Sequence, residues 1–143
     1  MNFLSRKAME EVRDAVKAWL QSCPELPLPD ITFEDLPAND TGIAFETAQS
    51  AVYLQKYILG GYRAQYQFRI VYRIIPSDDN DALEANRCLT AIANWCEESE
   101  EKPQLTDAVN VRIERTSDAA ILAAYEDGTE DYGIDLTLTW EVI

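Results

Sequence analysis

Around Gly60-Gly61 the chain alternates as a β-hairpin must. Tyr62, Ala64, Tyr66, Phe68, Ile70, Tyr72 and Ile74 share one parity, and Arg63, Gln65, Gln67, Arg69, Val71 and Arg73 share the other. A period of two sends these sets to opposite faces of one strand, which continues to Ile75. Pro76 ends it, because proline has no backbone N–H for a ladder. So long a run commits the chain to a sheet with one apolar face that other elements must cover. Residues from Ala51 to Tyr57 form a second alternating run, and Gly-Gly suits a two-residue turn whose central positions need positive φ. Such a turn predicts Tyr57 opposite Ala64, Gln55 opposite Tyr66 and Tyr53 opposite Phe68. It also brings Lys56 onto the arginine face.

Two segments can supply the cover. Residues 5–21 predict an amphipathic helix, with Ser5 as N-cap and Ala8, Val12, Ala15, Val16 and Trp19 on one face. Residues 78–97 predict a second, capped by Ser77 or Asp78, with Ala85, Leu89, Ile92, Ala93 and Cys96 as its stripe and Trp95 at the border. Pro24, Pro27 and Pro29 end the first helix, and a connection follows over 22–40 with a short strand near Ile31 to Phe33. Thr41 to Thr47 reads as a strand with Ile43 and Phe45 on one face. Val109, Val111 and Ile113 alternate with Asn110, Arg112 and Glu114. Tyr132 to Ile143 is a clear final strand, with Tyr132, Ile134, Leu136, Leu138, Trp140 and Val142 on one side. Residues 116–131 carry no clean period beyond a turn signal at Glu126-Asp127-Gly128-Thr129. The expected fold is one α+β domain over residues 1–143: a mainly antiparallel sheet with a long hairpin, and two helices packed on one face.

Charge is unevenly spread. The net charge is −14 over 143 residues. Residues 1–47 sum to −5, residues 48–77 to +4 and residues 78–143 to −13. The positive window contains no acid, and its charges are Lys56, Arg63, Arg69 and Arg73. Two readings stand: a solvated sheet face, or a basic ribbon that meets an acidic surface of another copy. A strand of 14 residues extends about 46 Å. A spherical domain of this length is about 37 Å across. The ribbon is therefore expected to overhang its own domain.

Composition excludes several chemistries. The chain has no His, which removes histidine general bases and histidine metal ligands. The negative sum opposes direct nucleic-acid binding through the overall field. Cys23, Cys88 and Cys96 are an odd set without a C-x-x-C pair, as expected of reduced, partly buried thiols rather than a zinc site. Neither a signal-like apolar run nor a membrane-length one occurs, so a cytoplasmic location and no membrane partner are expected. Gly60-Gly61 lacks the context of a phosphate loop. Asp78-Asp79-Asn80-Asp81 reads as an acidic helix start rather than a calcium loop. Glu126-Asp127 and Glu130-Asp131 read as an exposed turn rather than a catalytic carboxylate pair. Tyr62, Tyr66 and Tyr72 lie on the apolar strand face and are expected in the core rather than stacked on bases. No catalytic, cofactor or metal residues are assigned.

Three passages carry a family resemblance: Tyr53 to Phe68 with its Gly60-Gly61 turn and Gln65-Tyr66-Gln67-Phe68, Asn86 to Trp95, and Tyr132-Gly133-Ile134-Asp135-Leu136-Thr137-Leu138-Thr139-Trp140. In order and spacing over residues 2–143 the chain resembles the small minor capsid, or tail terminator, proteins of long-tailed phages and prophages. Gln55-Lys56-Tyr57 stands where Lys-Arg-Tyr is typical, Trp140 stands where Tyr is typical, and residues 116–131 do not match. The resemblance implies a non-enzymatic structural protein without cofactors. It implies a homo-oligomeric ring, such as a hexamer, that caps the tail tube and helps join tail to head. The implied partners are tail-tube and head-completion proteins, first in the host cytoplasm and then at the head–tail junction of the virion. Lys56, Arg63, Arg69 and Arg73 become the expected subunit or tail-tube contacts. Two other classes compete. One is an acidic DNA mimic that inhibits a nucleic-acid enzyme, and the other is an enzyme built on carboxylates with Tyr or Cys.

Overall fold

The computed structural model describes residues 6–143. Helix α1 spans Arg6–Gln21 and α2 spans Asp79–Glu98. The strands are β1 (Thr32–Phe33), β2 (Gly42–Thr47), β3 (Tyr53–Lys56), β4 (Tyr62–Ile74), β5 (Ala108–Arg115), β6 (Ala120–Ala124) and β7 (Glu130–Val142). They form one seven-stranded sheet, antiparallel except for the parallel β1–β2 pair, so the fold is α+β as expected. Ser5, the expected cap of α1, and the side chain of Ala8 lie outside the described residues.

Two long strands dominate. β4 and β7 pair residue for residue over 13 positions, from Tyr62 opposite Val142 to Ile74 opposite Glu130. Each is flanked by two shorter strands in line. β3 and β2 share the outer edge of β4, and β5 and β6 share the outer edge of β7. The expected overhang is therefore absent along β4, because β7 supports it throughout.

The alternation decides the layers. On one face Tyr62, Ala64, Tyr66, Phe68 and Ile70 of β4 meet Tyr132, Ile134, Leu136, Leu138, Trp140 and Val142 of β7, all buried. The helices cover this face. Val12, Val16, Trp19 and Leu20 of α1 and Ala85, Leu89, Ile92, Ala93 and Cys96 of α2 complete the core. Trp19 and Trp95 join the two helices at a ring separation of 4.9 Å, and the Trp19 indole N–H donates to the Glu101 carbonyl at 2.8 Å. Asp78 caps α2 by accepting the Asn80 N–H at 2.8 Å. Cys23, Cys88 and Cys96 are free thiols. Burial pushes the Cys88 thiol up to about 11 and raises that of Cys96.

Three local expectations need correction. The hairpin turn is not two residues long. β3 stops at Lys56, and Tyr57–Gly61 form the loop, closed by the Tyr57 N–H donating to the Gly61 carbonyl at 3.1 Å. The register becomes Lys56 opposite Tyr62, Gln55 opposite Arg63 and, beyond a bulge at Leu54, Tyr53 opposite Ala64. Tyr57 is drawn out of the ladder toward β7, where its O–H donates to Glu141 Oε2 at 3.0 Å. Gly61 makes that path possible: at φ +82° its missing Cβ would lie 2.4 Å from the Val142 carbonyl oxygen.

Second, residues 116–131 contain a strand. β6 pairs with β7 through a turn in which the Tyr125 N–H donates to the Thr129 carbonyl at 2.9 Å, and Asp127 accepts from the Thr129 N–H at 3.0 Å. Its Ala-Ile-Leu-Ala-Ala sequence lacks a period because this edge strand has exposed residues on both faces. Third, a bulge between Val109 and Arg112 reverses the sides of β5. Val109 opposes Glu141 on the face away from the helices, while Ile113 opposes Leu138 in the core. Asn110 takes the positive φ of 53° that the bulge requires.

Candidate assembly surface

The second face of the sheet is not covered by α1 or α2. It carries Arg63, Gln65, Gln67, Arg69, Val71 and Arg73 of β4 beside Asp131, Gly133, Asp135, Thr137, Thr139 and Glu141 of β7. The register sets each arginine against an acid: Arg63 opposite Glu141, Arg69 opposite Asp135 and Arg73 opposite Asp131. The arginine spacing of six then four is the acid spacing of four then six read in reverse. That mirror is the sequence signal for the pairing, and counting charge by linear windows hides it.

The three pairs differ in depth. Arg73 is the most enclosed. Its Nε and Nη2 donate to the two oxygens of Asp131 at 2.7 and 2.9 Å, and Nη1 donates to the Pro37 carbonyl at 3.0 Å. The Tyr125 ring lies 5.2 Å from the guanidinium, and the Tyr125 O–H donates to Asp131 Oδ2 at 2.9 Å. Side-chain exposure is 16% for Arg73 and 8% for Asp131. The hydrogen bonds to Asp131 raise the Arg73 pKa further above its ordinary value. The same carboxylate raises the Tyr125 phenol pKa by accepting a hydrogen bond from its O–H.

Arg69 makes a similar fork with Asp135, at 2.7 and 3.3 Å, but both side chains are about one-third exposed (38% and 30%). The hydrogen bond to Asp135 raises the Arg69 pKa as well. Leu122 reaches over from β6 beside this pair and fills the space above Gly133, where a Cβ would lie 2.5 Å from its Cδ1. Arg69, Arg73, Leu122, Tyr125 and Asp131 border an open cleft of about 410 Å³ that continues to Ala44, Glu46 and Glu34. Both arginines of the cleft already hold bidentate carboxylates, so neither is free to hold an anion without breaking a charge-assisted fork.

Arg63 is exposed, and among the described residues it makes no ion pair. The carboxylate opposite it, Glu141, accepts instead from Tyr57 at 3.0 Å and from Asn110 Nδ2 at 3.3 Å. Lys56 does not share this face. Its register partner is Tyr62, and its ammonium lies 4.5 Å from the Tyr53 ring on the helix side. The one-face basic ribbon is thus corrected twice. One of its four charges is on the other side, and two are neutralised by β7. Arg63 and Lys56 flank the hairpin end, where Ile58 and Leu59 are fully exposed.

The sequence matches no protein-family model and no curated protein. The fold has solved relatives. A chain from the "virion of native gene transfer agent (GTA) particle" aligns over 94% of this chain and 91% of its own, with a TM-score of 0.52 and 13% identity. A second solved chain aligns over 99% of both, with a TM-score of 0.47 and 14% identity. At 13% identity the likeness to the first is one of fold.

Proposed function

We propose that this chain is a structural subunit of a phage-like particle, a tail-terminator-like protein that forms a ring at the end of the tail tube and helps join tail to head. One observation carries the reading: its fold extends across nearly the whole of a chain from a gene transfer agent virion. The motif resemblance in Tyr53–Phe68, Asn86–Trp95 and Tyr132–Trp140 independently points to the tail terminators. The molecule also suits assembly physically. Its uncovered sheet face is tied by cross-strand ion pairs, and its ends carry unlike surfaces, as head-to-tail contacts in a ring require.

Two measurements test this. Light scattering on the purified chain across a wide concentration range should show a closed multiple of the 16.2 kDa chain, with six copies expected. Mass spectrometry of purified particles from the source organism should find the chain in stoichiometric amount. A chain that stays monomeric throughout and is missing from the particles would overturn the proposal.

A further inference from the structure

The loop Tyr57–Gly61 holds two apolar side chains in water, with relative exposures of 101% for both Ile58 and Leu59. This is not a loose tip. The Gly60 N–H donates to the Tyr57 carbonyl at 3.2 Å, Tyr57 is tied to Glu141, and Gly61 is wedged against the backbone of Val142. A braced turn that displays a bare Ile-Leu pair is preorganised for insertion, because little conformational freedom is left to lose. Its surroundings are basic: Lys56 and Arg63 flank it, and Arg63 and Arg112 border a common cleft in which Glu141 is the acid.

At the other end of β4, about 40 Å away by strand rise, is a receptive site. A cleft of about 430 Å³ lies between the end of β4 and the start of α2, with Pro27, Tyr72, Ile74, Ile75, Ala85 and Cys88 among its walls. Ile75 there is 52% exposed. The rim is acidic, with Asp81 lining it, Glu84 lining it in an exposed pair with Arg87, and Asp78 and Asp79 in the adjoining turn of α2. Ser77 donates two hydrogen bonds to Asp81 and holds its carboxyl below the ordinary range, so the rim stays negative.

We infer that the Ile58-Leu59 tip of one copy inserts into the Ile74–Ile75/α2 cleft of the next, with Lys56 and Arg63 facing the acids of its rim. The occupant is a second copy because apolar tip and basic flank on this chain match apolar wall and acidic rim on the same chain. The two patches lie at opposite ends of β4, so the contact is heterologous and repeats around a ring. The inference rests on the ring reading and names its contact.

Charge-swapped pairs test it by light scattering at low and high salt. One variant carries Lys56→Glu with Arg63→Glu, and another carries Asp79→Lys with Glu84→Lys. Each alone should weaken assembly by at least about tenfold, and an equimolar mixture should restore it. Leu59→Asp should abolish assembly while leaving the thermal midpoint of the dilute, unassembled chain unchanged, since Leu59 supports nothing in the monomer. In a Cys88→Ser background, Leu59→Cys with Ile75→Cys should give intermolecular disulfide ladders on mild oxidation, and Leu59→Cys without Ile75→Cys should not. If the wild type assembles and these variants assemble equally well, the contact is wrong and the ring stands. If the wild type neither assembles nor cross-links in the double-cysteine form at any concentration, the contact falls with the ring.

Discussion

Arg63 and Arg73 occupy the same face of the same strand, and each stands opposite a carboxylate on β7. One end of the β4–β7 pair is closed and the other is open. At the closed end Arg73 is locked among Asp131, Tyr125 and the Pro37 carbonyl. At the open end the carboxylate is taken by Tyr57 and Asn110, and Arg63 points its charge outward beside a bare Ile-Leu tip. Position on a strand face therefore does not assign a charge its job. What decides is whether neighbouring elements reach it, and β6 with its turn reaches only the closed end.

Substitutions at the two ends should separate them. The largest effect is expected at Arg73→Ala, which strands a buried Asp131 carboxylate; it should cost about 3 kcal/mol in urea unfolding. A loss below half of that would mean the closed end is not closed. At the open end the sensitive residue is the glycine against β7. Gly61→Ala combines positive φ with a backbone collision and should cost about 2 kcal/mol. Gly60→Ala meets nothing within 4 Å and should cost about half as much. Equal losses at both glycines would show that the turn is not braced on Val142.

Arg69→Ala lies between the ends. Its fork with Asp135 is partly solvated, so a loss of about 1 kcal/mol is expected, declining in high salt. Tyr125 adds a pH signature to the closed end. Its phenol is raised above the ordinary value of 10.0, first by its hydrogen bond to Asp131. A folded state that holds a proton more tightly than the unfolded one gives stability below the unfolded pKa. That stability is lost as pH rises through the folded value. Unfolding midpoints should therefore fall above pH 10, and Tyr125→Phe should remove a small part of that fall. An unchanged alkaline profile in Tyr125→Phe would detach the phenol from the pair. Smallest of all, Arg63→Ala should change stability by no more than about 0.5 kcal/mol. A larger loss would mean that Arg63 is structurally engaged after all.

Much of this was legible in the chain. The seven-residue apolar parity of β4 and the six-residue one of β7 mark which side each strand gives to the core, and six of the seven and all six are buried. The stripes of α1 and α2 are just as plain. What escaped was set by irregular backbone. The five-residue loop Tyr57–Gly61 and the bulge near Asn110 change parity without a local warning, and they moved Lys56 and Val109 to unexpected faces. β6 escaped because an edge strand exposed on both sides has no pattern to show. The candidate surface was half legible. Its arginines stood out as a basic window, but their acidic partners lie 58 to 78 residues away in sequence.

Local patterning in the chain set the side-chain parity of the long strands, the two amphipathic helices and so the one-sided cover of the sheet. These follow from periods of 2 and 3.6 residues, which are local properties of the backbone. That β7 lies beside β4, and in which register, was settled by the packed fold. That choice turned a window of +4 into two internal ion pairs and one outward arginine. Register between strands distant in the chain is chosen by the packing of a whole face, because a slip of one residue would turn every apolar side chain into water.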